Sequence, residues 1–108
     1  DRDWHLARSK APDTFAPIGP KIINEIDTSN LRIQSFINGK KTQDSSTNDR
    51  ILNDFECVEL VSKFFKLIPG DIIFTGTPAG AKDAIVKPGD EVTIEIEKIG
   101  KITNSIKG

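Results

Sequence analysis

The segment best suited to ligand chemistry is Phe74-Thr75-Gly76-Thr77-Pro78-Ala79-Gly80, where two hydroxyls and two glycines directly follow an apolar run. Glycine lets a ligand approach the backbone closely, and hydroxyls with exposed N–H groups suit carboxylate or phosphate oxygens. The plain alternative is a Gly-Pro turn. It is not a phosphate-binding P-loop, because no Gly-Lys-Ser/Thr ending follows. Lys10 lies in a Pro-flanked loop and could offer a cation to an anionic substrate, stabilising an enolate as charge develops. Solvated surface is the ordinary fate of a lone lysine. His5 is the single histidine, a candidate base or ligand, or simply a hydrogen-bonded side chain. Glu95 and Glu97 share one strand face and could bind a divalent cation, yet Glu91 and Thr93 continue the same polar face to solvent. Cys57 reads as a helix residue with nothing nearby to lower its pKa.

These residues need elements to position them. Leu31, Ile33 and Ile37 alternate with Arg32, Gln34 and Asn38, and Asn38-Gly39 is a preferred pair for a type I′ hairpin turn. Lys40 to Gln43 should pair back, and the polar run Asp44 to Asp49 reads as a loop. Asn53 with Glu56 three residues on forms a capping box, and Phe55, Val58, Val61 and Phe65, widened by Leu60, Phe64 and Ile68, give an apolar face at helical spacing. A helix is expected near residues 54–67, ended by Pro69-Gly70. Pro69-Gly70-Asp71 and Pro88-Gly89-Asp90 each precede an apolar run, as turns that feed strands do. Val92, Ile94 and Ile96 alternate with Glu91, Thr93, Glu95 and Glu97, and a last strand from Ile99 to Ile106 follows the turn at Gly100. The fold class is α+β, mostly antiparallel sheet with one helix.

Composition narrows the function classes. With 15 basic and 16 acidic residues, the net charge of -1 argues against nucleic acid or an anionic membrane as partner. The longest apolar runs fall far short of the roughly 20 residues a membrane-spanning helix needs. One cysteine allows no intramolecular disulfide, and no Cys/His cluster has zinc spacing. The chain therefore reads as a soluble, cytoplasmic protein. At 108 residues it has room for one small core, which missing chain or a partner would have to complete. It opens at Asp1-Arg2-Asp3-Trp4-His5 and contains no methionine, so a fragment is expected.

Several segments together resemble the fumarylacetoacetate hydrolase family in order and spacing. Arg2-Asp3 resembles the end of its Asn-Asp-x-Ser-Ala-Arg-Asp signature, and Lys10 to Pro20 resembles Gly-Lys-Ser-Phe-Asp-Thr-Phe-x-Pro-x-Gly-Pro. Asn38-Gly39 with Gln43-Asp44 and Thr47 resembles the family's hairpin, and Leu67 to Gly80 is close to its most recognisable line. Lys87-Pro88-Gly89-Asp90 and Ile99 to Asn104 fit as well, so the resemblance spans essentially the whole chain.

That resemblance implies a mixed β-sandwich roll, with residues 1–108 as the C-terminal portion of a single catalytic domain. It implies a metal-dependent enzyme acting on a small 2-oxo or enol carboxylic acid through a metal-bound enolate, by C–C hydrolysis, isomerisation or decarboxylation. Lys10 matches the family lysine near metal and substrate; Arg2 matches the signature arginine and Thr77 the threonine contacting the substrate carboxylate. Gln43 and Gly76 are further substrate-binding candidates, as is His5, which stands where relatives often have Gln. The cofactor implied is Mg²⁺ (or Mn²⁺ or Ca²⁺), with all its ligands expected upstream of residue 1. The general-base pair of hydrolytic members also belongs to segments not present in this sequence. Ala11-Pro12 departs from the family's Ser-Phe beside Lys10. A homodimer is implied too. The competing reading is a noncatalytic fragment that folds and acts only with its missing half or a partner.

Overall fold

The computed structural model describes residues 10–108. Arg32–Ile37 (β1), Lys40–Ser46 (β2), the helix Asp54–Phe64 (α1), Glu91–Ile96 (β3) and Gly100–Ser105 (β4) follow one another along the chain. The strands form one open antiparallel sheet in the order β2-β1-β3-β4. Among residues 11–108, short 3₁₀ turns at Thr47–Asp49 and Ala81–Asp83 complete the regular structure.

Alternation decides the face each side chain takes. Ile33 pairs with Ile96, Ser35 with Ile94 and Ile37 with Val92, while Ile94 in turn pairs with Ile102, so a branched aliphatic layer lies on one side. Arg32, Glu95 and Lys101 take the other side, together with Thr93 and Thr103, whose hydroxyls meet at 2.8 Å. Asn38 and Gly39 both have positive φ, 50° and 80°, the conformation a type I′ turn requires.

The second strand runs further than the sequence suggested. The polar run expected as a loop pairs as far as Ser46, because Arg32 grips the Asp44 carboxylate at 3.0 and 2.8 Å and Lys41 reaches it at 2.8 Å. These cations hold the Asp44 carboxyl well below its ordinary range. Ile72 to Phe74, expected to enter a strand after Pro69-Gly70-Asp71, makes no ladder with the described strands.

Helix α1 starts as its capping box dictates: the Asn53 side chain accepts from the Glu56 N–H at 2.9 Å and the Glu56 carboxylate accepts from the Asn53 N–H at 2.8 Å. Asp54 accepts hydrogen bonds from Thr28 and Arg50, which fasten the first turn to the preceding loop. The helix ends at Phe64, three residues short of the expected limit. Its apolar face is uncovered, with Phe55 87% and Phe64 74% exposed.

Among the described residues Leu31 is the sole fully buried hydrophobe. The chain exposes 9157 Å², where a compact monomer of 11.9 kDa would expose roughly 5,900 Å². Its radius of gyration of 15.0 Å also exceeds the about 13 Å of a compact chain this long. The excess lies on the helix and the loops, where Phe55, Phe64, Phe65, Ile72 and Phe74 are exposed, while the apolar side of the sheet is half-buried.

One buried polar knot joins the two hairpins. Asp90, 6% exposed, accepts from the Asn38 side-chain amide at 2.8 Å and from the Lys87 N–H at 2.9 Å. Asn38 in turn accepts from the Glu91 N–H at 2.9 Å. The hydrogen bond from Asn38, then that from Lys87, lowers the Asp90 pKa despite the opposing effect of desolvation. A carboxyl whose folded pKa is depressed contributes stability above its unfolded pKa and loses it as pH falls through the folded value. Asp90→Asn should therefore lower the urea midpoint of the intact protein near neutral pH, and the gap to the parent should narrow near pH 3. An equal gap at both pH values would mean the ionised form carries no stability.

Candidate functional site

The hydroxyl-and-glycine segment lies against β2, and a β-bulge brings it there. Ser35 pairs with Gln43 but Phe36 pairs with Lys41, leaving Thr42 as an extra residue opposite one position of β1. A bulge re-aims the side chains beside it. Here Thr42 and Gln43 both turn toward Ser35: the Ser35 hydroxyl donates to the Gln43 carboxamide oxygen at 2.9 Å and lies 2.9 Å from the Thr42 hydroxyl. Ser35 is only 5% exposed, a polar side chain set between Ile33 and Ile37 on the apolar face. Burial of a hydroxyl in that place costs stability unless it is bonded.

The other end of the Gln43 carboxamide reaches the loop. Its nitrogen donates to the Pro78 carbonyl at 2.9 Å, to the Thr77 hydroxyl oxygen at 3.1 Å and to the Ala79 carbonyl at 3.3 Å. Carbonyls only accept, so the nitrogen must face the loop and the oxygen must face Ser35. Gly80 packs where no side chain fits, since a Cβ there would stand 2.9 Å from the Thr42 carbonyl oxygen, and its φ is 97°. Gly76 differs. Its φ is 91°, yet a Cβ would meet no described atom within 4 Å, so its backbone borders open space. Thr75, Gly76 and Thr77 are all exposed. The arrangement offers a hydroxyl and accessible backbone beside open space, held from behind by neutral hydrogen bonds.

Of the residues singled out in sequence, the structure brings Gln43, Gly76 and Thr77 into one place. Lys10 is exposed at the first described position, and no described hydrogen bond links it to Gln43 or Thr77. Arg2 and His5 lie outside the described residues. Among the described residues no group of three or more His, Cys, Asp or Glu side chains could hold a metal ion. Glu95 and Glu97 are exposed, and Glu97 accepts from the Arg32 N–H at 3.0 Å, as the solvent face of a strand would. A recess of about 460 Å³ is lined by Thr42 together with Lys40, Lys41, Asp83 and Ile85, and not by Thr77 or Lys10. Sequence reasoning passed over Ser35 and Thr42. The break that Ser35 makes in the Ile33–Ile37 alternation was the available signal.

The chain has clear relatives among known proteins. The family model described as fumarylacetoacetate (FAA) hydrolase C-terminal matches residues 1–107. The uncharacterized protein MJ1656 of Methanocaldococcus jannaschii is 45% identical over 106 residues, covering 98% of this chain and 44% of that protein. The mitochondrial oxaloacetate tautomerase FAHD2A of Bos taurus is 39% identical over 120 residues, covering 97% of this chain and 38% of the relative. Among solved structures, the 2-hydroxyhepta-2,4-diene-1,7-dioate isomerase from Mycobacterium marinum superposes with a TM-score of 0.88 at 40% identity, over 93% of this chain and 39% of that one. The chain thus spans less than half the length of these relatives. The open sheet with its helix is the fold of the C-terminal domain of these proteins.

Proposed function

The chain belongs to the fumarylacetoacetate hydrolase family, and from that premise we propose that the protein carrying it is an enzyme acting on a small 2-oxo or enol carboxylic acid. The observation that carries this reading is the Gln43-anchored loop, which sets the Thr77 hydroxyl and the Gly76 backbone beside open space. Thr77 donates to the substrate carboxylate, and the Gly76 backbone allows the substrate close approach. Lys10 places its ammonium near the 2-oxo oxygen, where negative charge grows as a proton or an acyl group leaves the neighbouring carbon. Arg2 adds positive charge to the same anion, and His5 contacts the substrate. The shared intermediate is an enolate, which C–C hydrolysis, isomerisation and decarboxylation each reach. Fold alone does not choose among them.

The proposal includes a divalent cation, Mg²⁺ or else Mn²⁺ or Ca²⁺, as a Lewis acid on the substrate oxygens. Among the described residues no group of three or more His, Cys, Asp or Glu side chains would hold it, and the resemblance assigns its ligands to chain upstream of residue 1. The proposal also includes a homodimer. The uncovered apolar face of α1, with exposed Ile68, Ile72 and Phe74 beyond it in sequence, supports an assembly in which further polypeptide buries it.

Removal of divalent ions tests the reading. Turnover of oxaloacetate and of an acylpyruvate by the intact protein should vanish after EDTA treatment and return when Mg²⁺ is restored. Full activity in EDTA would remove the cation from the proposal.

A further inference from the structure

Resemblance made Gln43 a substrate-binding candidate, but both ends of its carboxamide are already engaged by the protein. We propose that Gln43 is a positioning residue, the central link of a directional hydrogen-bond chain that runs Thr42, Ser35, Gln43, Thr77 and makes the Thr77 hydroxyl a donor toward an anionic oxygen. This rests on the reading of Thr77 as the contact to the substrate carboxylate.

Direction follows from counting protons. The Pro78 and Ala79 carbonyls can only accept, which turns the Gln43 nitrogen to the loop and its oxygen to Ser35. The Ser35 proton is then committed to the Gln43 oxygen at 2.9 Å. The Thr42 proton is left for Ser35, either its hydroxyl at 2.9 Å or its carbonyl at 3.2 Å. At the far end the two Gln43 N–H protons are shared among three acceptors, the Pro78 carbonyl, the Thr77 oxygen at 3.1 Å and the Ala79 carbonyl, and because an amide nitrogen only donates, the Thr77 proton points away from Gln43. A threonine held this way meets an acceptor better than a donor. Successive hydrogen bonds in one direction also polarise one another, which favours a negatively charged acceptor at the open end.

The bulge at Thr42 makes this possible. In an unbulged ladder, neighbouring residues point to opposite faces, and Thr42 and Gln43 could not both reach Ser35. Gly80 completes the fit, since its missing Cβ lets the loop close onto the Thr42 carbonyl.

Gln43→Glu in the intact protein is the direct test, because the replacement keeps the shape and removes every donor aimed at the loop. Michaelis constants for a 2-oxo acid should rise roughly 10- to 100-fold, with a much smaller change in kcat. Hydrogen exchange across residues 75–80 should become faster. On a Thr77→Val background the same substitution should add little to KM, since the hydroxyl it directs is gone. Ser35→Ala, which unlinks the chain without touching the loop, should raise KM in the same sense by less. Unchanged KM and unchanged exchange in Gln43→Glu would overturn the proposal, as would a KM rise just as large without the Thr77 hydroxyl. A parent protein that turns over no 2-oxo acid would sink the enzymatic reading instead. Exchange at 75–80 would then judge the anchoring role alone, kept if it quickens in Gln43→Glu and lost if it does not.

Discussion

Lys10→Ala should lower kcat on 2-oxo acids by about 10²- to 10³-fold, the usual cost of removing one group that meets charge developing in a transition state. The side chain is exposed in this structure and stands at the head of a loop carrying Pro12, Pro17 and Pro20. Proline fixes φ and limits the freedom of such a loop. A lysine there is not buried, so its loss should cost little stability. The effect should therefore fall on kcat, while the urea midpoint stays near that of the parent. Lys10→Arg should recover only part of the activity, because a planar guanidinium does not replace a compact ammonium at one oxygen. Parent-like kcat in Lys10→Ala would remove this residue from the mechanism.

Thr77→Val should act on the other kinetic constant. The substitution is nearly isosteric and deletes the donor proposed for the substrate carboxylate, a charge-assisted hydrogen bond whose loss should raise KM roughly 10- to 100-fold. It also leaves the Gln43 nitrogen without one acceptor, though the Pro78 and Ala79 carbonyls at 2.9 and 3.3 Å remain. The loop should therefore stay in place, and kcat at saturating substrate should change far less than KM. Thr77→Ser, which keeps the hydroxyl, should sit near the parent. Steady-state kinetics of the three proteins read the difference, and a kcat loss as large as the KM rise in Thr77→Val would move Thr77 from binding to the chemical step.

Local chemistry was legible in the sequence wherever a short pattern dictates a conformation. Asn38-Gly39 could form a type I′ turn at no steric cost, and both residues adopt positive φ. Asn53 and Glu56 satisfy each other's backbone N–H groups as the capping box requires. The β3 alternation puts Val92, Ile94 and Ile96 on the half-buried side and leaves Glu91 and Glu95 exposed. Departures arise where a contact distant in sequence overrides a local preference. Asp44 reads as a loop residue until Arg32, twelve positions earlier, draws it into the ladder. Thr42 gives no local sign that it is the extra residue of a bulge, since the offset exists only between two strands.

Apolar content misled in a different way. The α1 stripe has the right spacing for burial, and Ile72 and Phe74 have the right character for a strand, yet these side chains face no described layer. Periodicity reports which face wants cover and does not report what covers it. The candidate site was half legible. Thr77 and Gly76 could be chosen from residue type, whereas the arrangement that holds them depends on Ser35 and on the bulge, which only the paired strands reveal.

Solvent deuterium uptake at the carbon beside the carbonyl of oxaloacetate, followed by proton NMR in D₂O, distinguishes an enolate-stabilising site from an inert one. It reads enolate formation whatever reaction follows. The intact protein with Mg²⁺ should exchange these protons well above the rate of Mg²⁺ alone, and Lys10→Ala should fall back toward that rate. Exchange at the Mg²⁺-only rate, in a folded protein with bound cation, would contradict an enolate-stabilising site.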